Sequence, residues 1–325
     1  MKGIISVFVG VAMLSTGVIN PTPAKAWGKM GHLTICDLAY RNLTDASRDE
    51  LKTLFRVGQS GEAGNKQVYT SFNQACLEED NSRGRPKDHY LNVARSTQAV
   101  NSPTCPVGTA TCILAAIDKD LAFLHDRTQT PRKRASALMS LGHWLGDIHQ
   151  PLHVSYEKDR GGNYIRATGA CGNAKKNTLH SVWDNCLLEK WTFAKIKSSP
   201  AYKPQWSRFT ITYRAVDAFR EIETRDAALI SSWLSGAPVN WASESYALTI
   251  QPQTKYCVMK NATCQYDQDK EEYTGTGDPS DWKVVDVDQA YVDRFGPEVE
   301  LRVRKAGYRL AHLINKSLDP SYRGR

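Results

Sequence analysis

Beyond residue 27, apolar residues recur every three or four positions with polar residues between them, the spacing that lays one apolar stripe along a helix. The pattern predicts helices over 29–41, 45–56, 112–125, 133–149, 178–192, 207–234, 239–248 and 287–318. Pro297 is a candidate break in the last of these, because proline lacks the amide hydrogen that a helix interior uses. Apolar and polar alternation is scarce and supports at most a short hairpin near Gly162 to Ala167. The stretch from Gln251 to Trp282 is rich in Lys, Asp, Thr and Gly and reads as a long surface loop. No internal repeat is visible. These signals together predict an all-α fold, one mainly helical domain from Trp27 to about Pro320.

The first 26 residues stand apart from that pattern. Lys2 supplies a positive start, an apolar run extends from Ile4 to Ile19, and Ala24-Lys25-Ala26 is a small-x-small cleavage site. The run is short of the ~20 residues a spanning helix needs. Residues 1–26 are therefore expected to be a secretory signal peptide, residues 27–325 the working domain, and the mature protein to be secreted or periplasmic without a membrane anchor. Composition agrees with a globule: 23% charged and 41% hydrophobic residues exclude a disordered or collagen-like chain. The formal charge is +8 for the whole chain and falls to +6 once Lys2 and Lys25 are removed. That is a weak pointer to nucleic acid. All eight cysteines lie after residue 27, and an even number in an exported chain favours disulfides. The short intervals suggest Cys105 with Cys112, Cys171 with Cys186 and Cys257 with Cys264, leaving Cys36 with Cys76, one of roughly 105 possible connectivities. A cysteine zinc site lacks any CxxC to support it.

The candidate chemistry lies in the histidines. His143 and Asp147 stand four apart in LGHWLGDIHQPLH, and His180 and Asp184 repeat the interval in LHSVWD. On a helix, each pair shares one face and can hold a single divalent ion. One such pair is unremarkable, but two, with His153 after Pro151 and His89 beyond the acidic run containing Asp80, make metal binding the simpler account. The new terminus adds a donor. An α-amino group titrates near 7.7–8, so a metal can displace its proton, and with the Trp27 carbonyl it closes a five-membered chelate to which His32 can contribute.

Trp27-Gly28, Gly31-His32, Asp80, His89, HWLGD at 143–147, QPLH at 150–153, GGN at 161–163, HSVWD at 180–184 and AGYRLAHLIN at 306–315 resemble, in order and in spacing, the secreted zinc-dependent single-strand nucleases of fungi, plants and bacteria. That family is related in fold to zinc-dependent phospholipases C. The resemblance runs from Trp27 to about Asn315 and is loosest around 57–88 and 251–285. It implies an all-α domain around a cleft with three zinc ions. One would be held by Asp80, His89, His143 and Asp147. A neighbour would take the Trp27 amine and carbonyl, His32 and the shared Asp147. The third would take His153, His180 and Asp184. Asp80 is preferred to Glu78 and Glu79 because Arg83 then keeps the family's offset to a phosphate-contacting arginine.

The resemblance further implies that a hydroxide shared by the two bridged ions attacks phosphorus in line, giving 5′-phosphate products from single-stranded DNA and RNA, with 3′-nucleotidase activity on 3′-nucleotides. Tyr90 takes the place of the base-stacking aromatic. Asn92 stands where fungal members have a base-contacting aspartate; its amide both donates and accepts, so base preference is expected to differ. The catalytic assignments are Asp147, Arg83 and Asn92, and the substrate-binding ones are Tyr90, Asn92 and Arg83, in a monomer. A phospholipase C and a non-catalytic zinc-stabilised binding protein are the competing readings; aspartate rather than glutamate at 184 leans towards the nuclease. His125, His149 and His312 match no ligand position, and Pro131 to Arg134 reads as a solvated helix start.

Overall fold

The computed structural model describes residues 27–59, 69, 71–82, 84–171, 177–221 and 226–324. The expected signal peptide, at residues 1–26, and Arg83 lie outside them. Among the described residues there are twelve α-helices: α1 (Lys29–Arg41), α2 (Asp45–Gln59), α3 (Phe72–Ala75), α4 (Glu78–Ser82), α5 (Ile113–His125), α6 (Pro131–Asp147), α7 (Leu179–Ser181), α8 (Leu187–Lys197), α9 (Arg208–Glu221), α10 (Ala227–Leu234), α11 (Pro238–Thr249) and α12 (Gln289–Leu318). A π-helical segment, Val182–Cys186, joins α7 to α8. The strands are short: β1 (Leu91–Val93), β2 (Val154–Tyr156), β3 (Ile165–Gly169), β4 (Val258–Lys260), β5 (Thr263–Gln265) and β6 (Lys283–Val287).

Helix α1 is buried from Met30 to Ala39 and lies centrally between α6 and α12. Two glycines let it sit so close. An added Cβ on Gly307 of α12 would lie 2.7 Å from Leu38 Cβ, and one on Gly142 of α6 would lie 2.7 Å from Cys36 Sγ. Thr130 caps α6 by accepting from the Lys133 amide at 3.3 Å, and Pro131 takes the first helical position, where a missing amide hydrogen costs nothing. The helix therefore starts two residues before its predicted start, and its first turn is not wholly solvated: Arg134 is buried, with Nη1 2.8 Å from Glu50 Oε1. Helix α12 runs through Pro297 without a break.

The predicted 207–234 helix is two helices, α9 and α10, and Asp226 caps the second through the amides of Ala228 and Leu229. No local hairpin forms at 162–167. Instead β3 pairs in parallel with β6, Ile165 opposite Lys283. The 251–282 stretch is a surface loop only in part, since β4 and β5 form an antiparallel hairpin and Tyr256, Cys257, Cys264, Tyr266 and Tyr273 are buried in the core. A polar average conceals these evenly spread anchors. One hydrophobic cluster extends from Trp27 to Leu318. Four disulfides join Cys36–Cys76, Cys105–Cys112, Cys171–Cys186 and Cys257–Cys264, the pairs that spacing suggests. No described helix is long and apolar enough to cross a membrane.

Candidate metal centre

Six parts of the chain converge on one buried polar centre. Helix α1 brings His32, the end of α6 brings His143 and Asp147, and the turn before β2 brings His153. The α7 and π-helical segment brings His180 and Asp184, the turn before β1 brings His89, and α4 brings Asp80. Close approach of α1 depends on Gly146, where a Cβ would fall 2.7 Å from His32 Nδ1. The parallel pairing of β1 and β2 sets Leu91 opposite Val154 and so draws His89 beside His153.

Three groups of side chains have donor atoms close enough to share an ion: His32, Asp80 and His143; His89, His143 and Asp147; His153, His180 and Asp184. Asp147 Oδ2 is 2.9 Å from His89 Nδ1 and 3.4 Å from His143 Nε2, while Oδ1 is 3.3 Å from His32 Nε2. Asp80 Oδ1 is 3.8 Å from His143 Nε2. Its neighbour Glu79 is engaged elsewhere, accepting from the Ser140 hydroxyl. In the third group, Asp184 lies 3.6 Å from His180 Nε2 and 3.8 Å from His153 Nε2.

The main chain orients three of the rings. His143 Nδ1 donates to the Cys76 carbonyl at 2.8 Å, His153 Nδ1 to the His89 carbonyl at 2.5 Å and His180 Nδ1 to the Gly161 carbonyl at 2.7 Å. Each proton is thereby placed on Nδ1 and the lone pair on Nε2. The consequence is clearest at His153 and His180, whose Nε2 atoms face one another at 3.1 Å. Two lone pairs at that distance repel. A shared cation turns the contact into coordination.

Electrostatics and unsatisfied atoms point the same way. Both His32 nitrogens and Asp147 Oδ1 are buried without a hydrogen-bond partner among the described residues, a condition that costs about 1–3 kcal/mol per group unless something binds there. Burial pushes the Asp147 carboxyl up to about 8, with Asp80 and Glu79 adding to the shift, and holds Asp184 well above the carboxylate range. Burial also holds His143 and His153 well below the usual imidazole value and takes His180 down to about 4. Neutral imidazoles are the ligating form, and a divalent cation supplies the charge that would ionise both carboxylates. The residues therefore fit a metal centre.

Trp27 is fully buried at the start of α1, and the amide between it and Gly28 donates to the Asp184 carbonyl at 2.6 Å. Its backbone is thus tied to the third group. Tyr90 and Asn92 follow His89, both half-buried, with Asn92 in β1 opposite Ser155. The histidines outside the ligand set have other roles. His149 donates from Nδ1 to the Leu145 carbonyl at 2.7 Å and accepts from Arg309 at 2.8 Å; His312 meets the Tyr322 hydroxyl at 3.0 Å.

Several supporting residues carry no signal of spacing. Gln150 donates from Nε2 to Asp184 Oδ1 at 2.6 Å and accepts the Leu152 amide, which fixes the amide orientation. Only its place in the QPLH motif marks it. Asp120 accepts from Trp144 Nε1 at 2.7 Å, and the Trp144 ring packs edge-on against His89 and His143. Asp159 accepts the Gly162 amide at 3.1 Å within its own turn and ties that turn to Arg95 and Tyr256, which lie far away in sequence.

A mainly helical fold around three His and Asp groups of this kind defines a metal-centre protein. The model of the S1/P1 Nuclease family matches residues 27–319, and the chain belongs to that family. It is similar to Endonuclease 4 of Arabidopsis thaliana, 26% identical with 96% of each chain covered, and to Nuclease P1 of Penicillium citrinum, 24% identical over 89% of this chain and 97% of the relative. Endonuclease 2 of Arabidopsis thaliana is 29% identical over 50% of this chain, and that match spans 56% of the relative.

Proposed function

We propose that the chain is a zinc-dependent phosphodiesterase that hydrolyses single-stranded DNA and RNA to 5′-phosphate products and acts on 3′-nucleotides as a 3′-nucleotidase. The observation that carries the reading is the pair of facing Nε2 atoms of His153 and His180 beside Asp184, next to a second group built on Asp147. Imidazole and carboxylate donors without cysteine suit zinc at a catalytic rather than a structural site. Three ions are proposed, with Asp80, His89, His143 and Asp147 for one, Trp27, His32 and Asp147 for its neighbour, and His153, His180 and Asp184 for the third. Bound there, they would activate water near neutral pH and offset charge on the departing oxygen.

The chain's own residues supply position. Asp147 presents Oδ1 to His32 and Oδ2 to His89, so one carboxylate spans two ligand groups. Gln150 keeps Asp184 turned towards His153 and His180. Tyr90 is the proposed stacking platform for a base, Asn92 a donor and acceptor for its edge, and Arg83 a phosphate contact. A stacked base must be unpaired, which favours single strands. Removal of residues 1–26 on export would free the Trp27 amine, giving a secreted or periplasmic monomer; the four disulfides support an oxidising compartment. The test is a parallel digest of single-stranded DNA, duplex DNA, RNA, 3′-AMP and phosphatidylcholine, with and without a chelator. Chelator-sensitive cleavage of the single strands and 3′-AMP is expected, whereas hydrolysis of phosphatidylcholine alone, or of nothing, overturns the reading.

A further inference from the structure

Basic charge is unevenly distributed over the surface. From Leu187 to Arg214, covering α8, the loop after it and the first half of α9, there are six basic residues against one acidic, with six aromatic residues between them. The single acid, Glu189, is paired with Arg208 at 2.6 Å. Lys195 is paired with Glu300 at 2.6 Å, which leaves Lys190, Lys197, Lys203 and Arg214 with no acid left within the stretch.

Phe209 is the exposed aromatic of the stretch, and Trp206 and Tyr213 are half-buried. Helix α9 buries Ile211, Ala215, Val216 and Phe219, but Phe209 is 64% exposed, and Tyr213, one turn on, lies beside it with ring centroids 4.6 Å apart. Leaving a phenylalanine in water forgoes the stabilisation that its burial would contribute. Cations flank these rings. Lys29 Nζ lies 5.7 Å from the Phe209 centroid, and the Arg214 guanidinium lies 5.3 Å from that of Trp206. Lys29 and Arg214 are both exposed. Aromatic faces alternating with exposed cations are the surface on which unpaired bases stack while phosphates are neutralised, whatever the sequence.

The patch meets the metal centre along the chain, at Gly28 and Lys29. Lys29 follows Gly28, whose amide donates to the Asp184 carbonyl at 2.6 Å, so the outermost cation is one residue from the peptide unit tied to the third ligand group. We infer that the face formed by Lys29, Trp206, Phe209, Tyr213 and Arg214 is a secondary binding track for single-stranded nucleic acid. It would hold nucleotides beyond those at the scissile bond, with a base on Phe209 and phosphates at Lys29 and Arg214. The inference rests on the nuclease reading above. It adds a preference for long strands over short ones that the metal centre alone does not require.

The test compares the processed, metal-loaded enzyme with F209A/Y213A and with K29A/R214A, all four positions lying outside the metal centre. Initial rates are measured on a long oligothymidylate, a dithymidylate and 3′-AMP. Fluorescence anisotropy with a hydrolysis-resistant phosphorothioate oligothymidylate reports binding without turnover. Losing a stacked base should raise KM and the dissociation constant for the long strand roughly five-fold or more, with kcat and the dithymidylate kinetics unchanged. Losing two phosphate contacts should reduce the slope of log affinity against log salt by about 1.4, at about 0.7 per contact for a single strand. Equal effects on long and short substrates, no effect on either, or a changed oligomeric state in size-exclusion chromatography overturns the track. Failure of the parent enzyme to cleave any of these substrates would instead overturn the nuclease reading, while the anisotropy still decides whether the face binds a strand.

Discussion

Replacing Asp159 with asparagine tests whether a carboxylate remote from the metal groups fixes the third one. Asp159 is 1% exposed. Its Oδ2 accepts from Arg95 Nη2 at 2.8 Å, and its Oδ1 accepts from the Tyr256 hydroxyl at 2.6 Å and the Gly162 amide at 3.1 Å. Arg95 is also buried, its guanidinium 4.2 Å from the centre of the Tyr156 ring, with Nη1 donating to the Cys264 carbonyl at 3.2 Å. Above this pair, Arg160, Gly161 and Gly162 have φ of 51°, 62° and 82°, and the Gly161 carbonyl meets His180 Nδ1. Asparagine keeps the size and an acceptor but strands the arginine charge. Breaking a buried pair from one side costs about 3–5 kcal/mol, which for a chain of this size lowers Tm by roughly 6–10 °C. Loss of ligand orientation should weaken one metal site by about 10–100-fold. Calorimetry at a single scan rate and elemental analysis after dialysis against a competing chelator read the two effects. D159N/R95M should recover part of the lost stability, since it removes both charges. A D159N protein that melts with its parent and keeps its full metal content would refute the argument, as would a double variant less stable than D159N.

Gly146→Ala places a methyl group 2.7 Å from His32 Nδ1 and 2.8 Å from Cε1. The ring must tilt from its stacked position on His143, 3.9 Å between centroids. The expected result is about 1–3 kcal/mol of destabilisation and earlier metal loss in chelator titration; unchanged metal retention would contradict it. Glu244 joins α11 to α12. Burial would raise its carboxyl, but Arg309, Arg302 and Lys305 together take it down to about 2. A depressed carboxylate stabilises the fold above its unfolded value, about 4.3, and that contribution fades as pH falls towards 2. The Tm gap between the parent and Glu244→Gln should therefore be widest near neutrality and close on acidification. A gap that widens in acid would reverse the sign.

The ligands were legible where chemistry and helix geometry coincide. His143 with Asp147, and His180 with Asp184, declare themselves because an interval of four puts both donors on one helical face. The π-helical winding around Asp184 did not, since the same residues also suit an ordinary helix. Parallel pairing was hidden for another reason. Ile165 meets Lys283 across more than a hundred residues, and the local antiparallel bridge of β3, Arg166 to Thr178, gives no sign of that distant strand. Arg95, Asp159 and Tyr256 form one cluster from three distant segments, and nothing near any of them in sequence indicates the others. The carbonyls of Cys76, His89 and Gly161 set the imidazole tautomers, yet a backbone oxygen has no residue type by which to be recognised.

The β1 and β2 pair is only three residues long on each side, but it constrains how the chain can change length. His89 stands two residues before Leu91 and His153 one before Val154, and those strand residues are paired. Deleting Tyr90, or inserting a residue between His153 and Val154, would move the histidine by about 3.3 Å, the rise of one strand residue, more than a zinc–nitrogen bond of about 2.0–2.1 Å can absorb. Insertions between residues 101 and 104, all exposed, meet no such limit, because the ladder re-forms whatever length of chain lies between its strands. Length variation among related chains should accordingly accumulate there and be absent from the two short leaders.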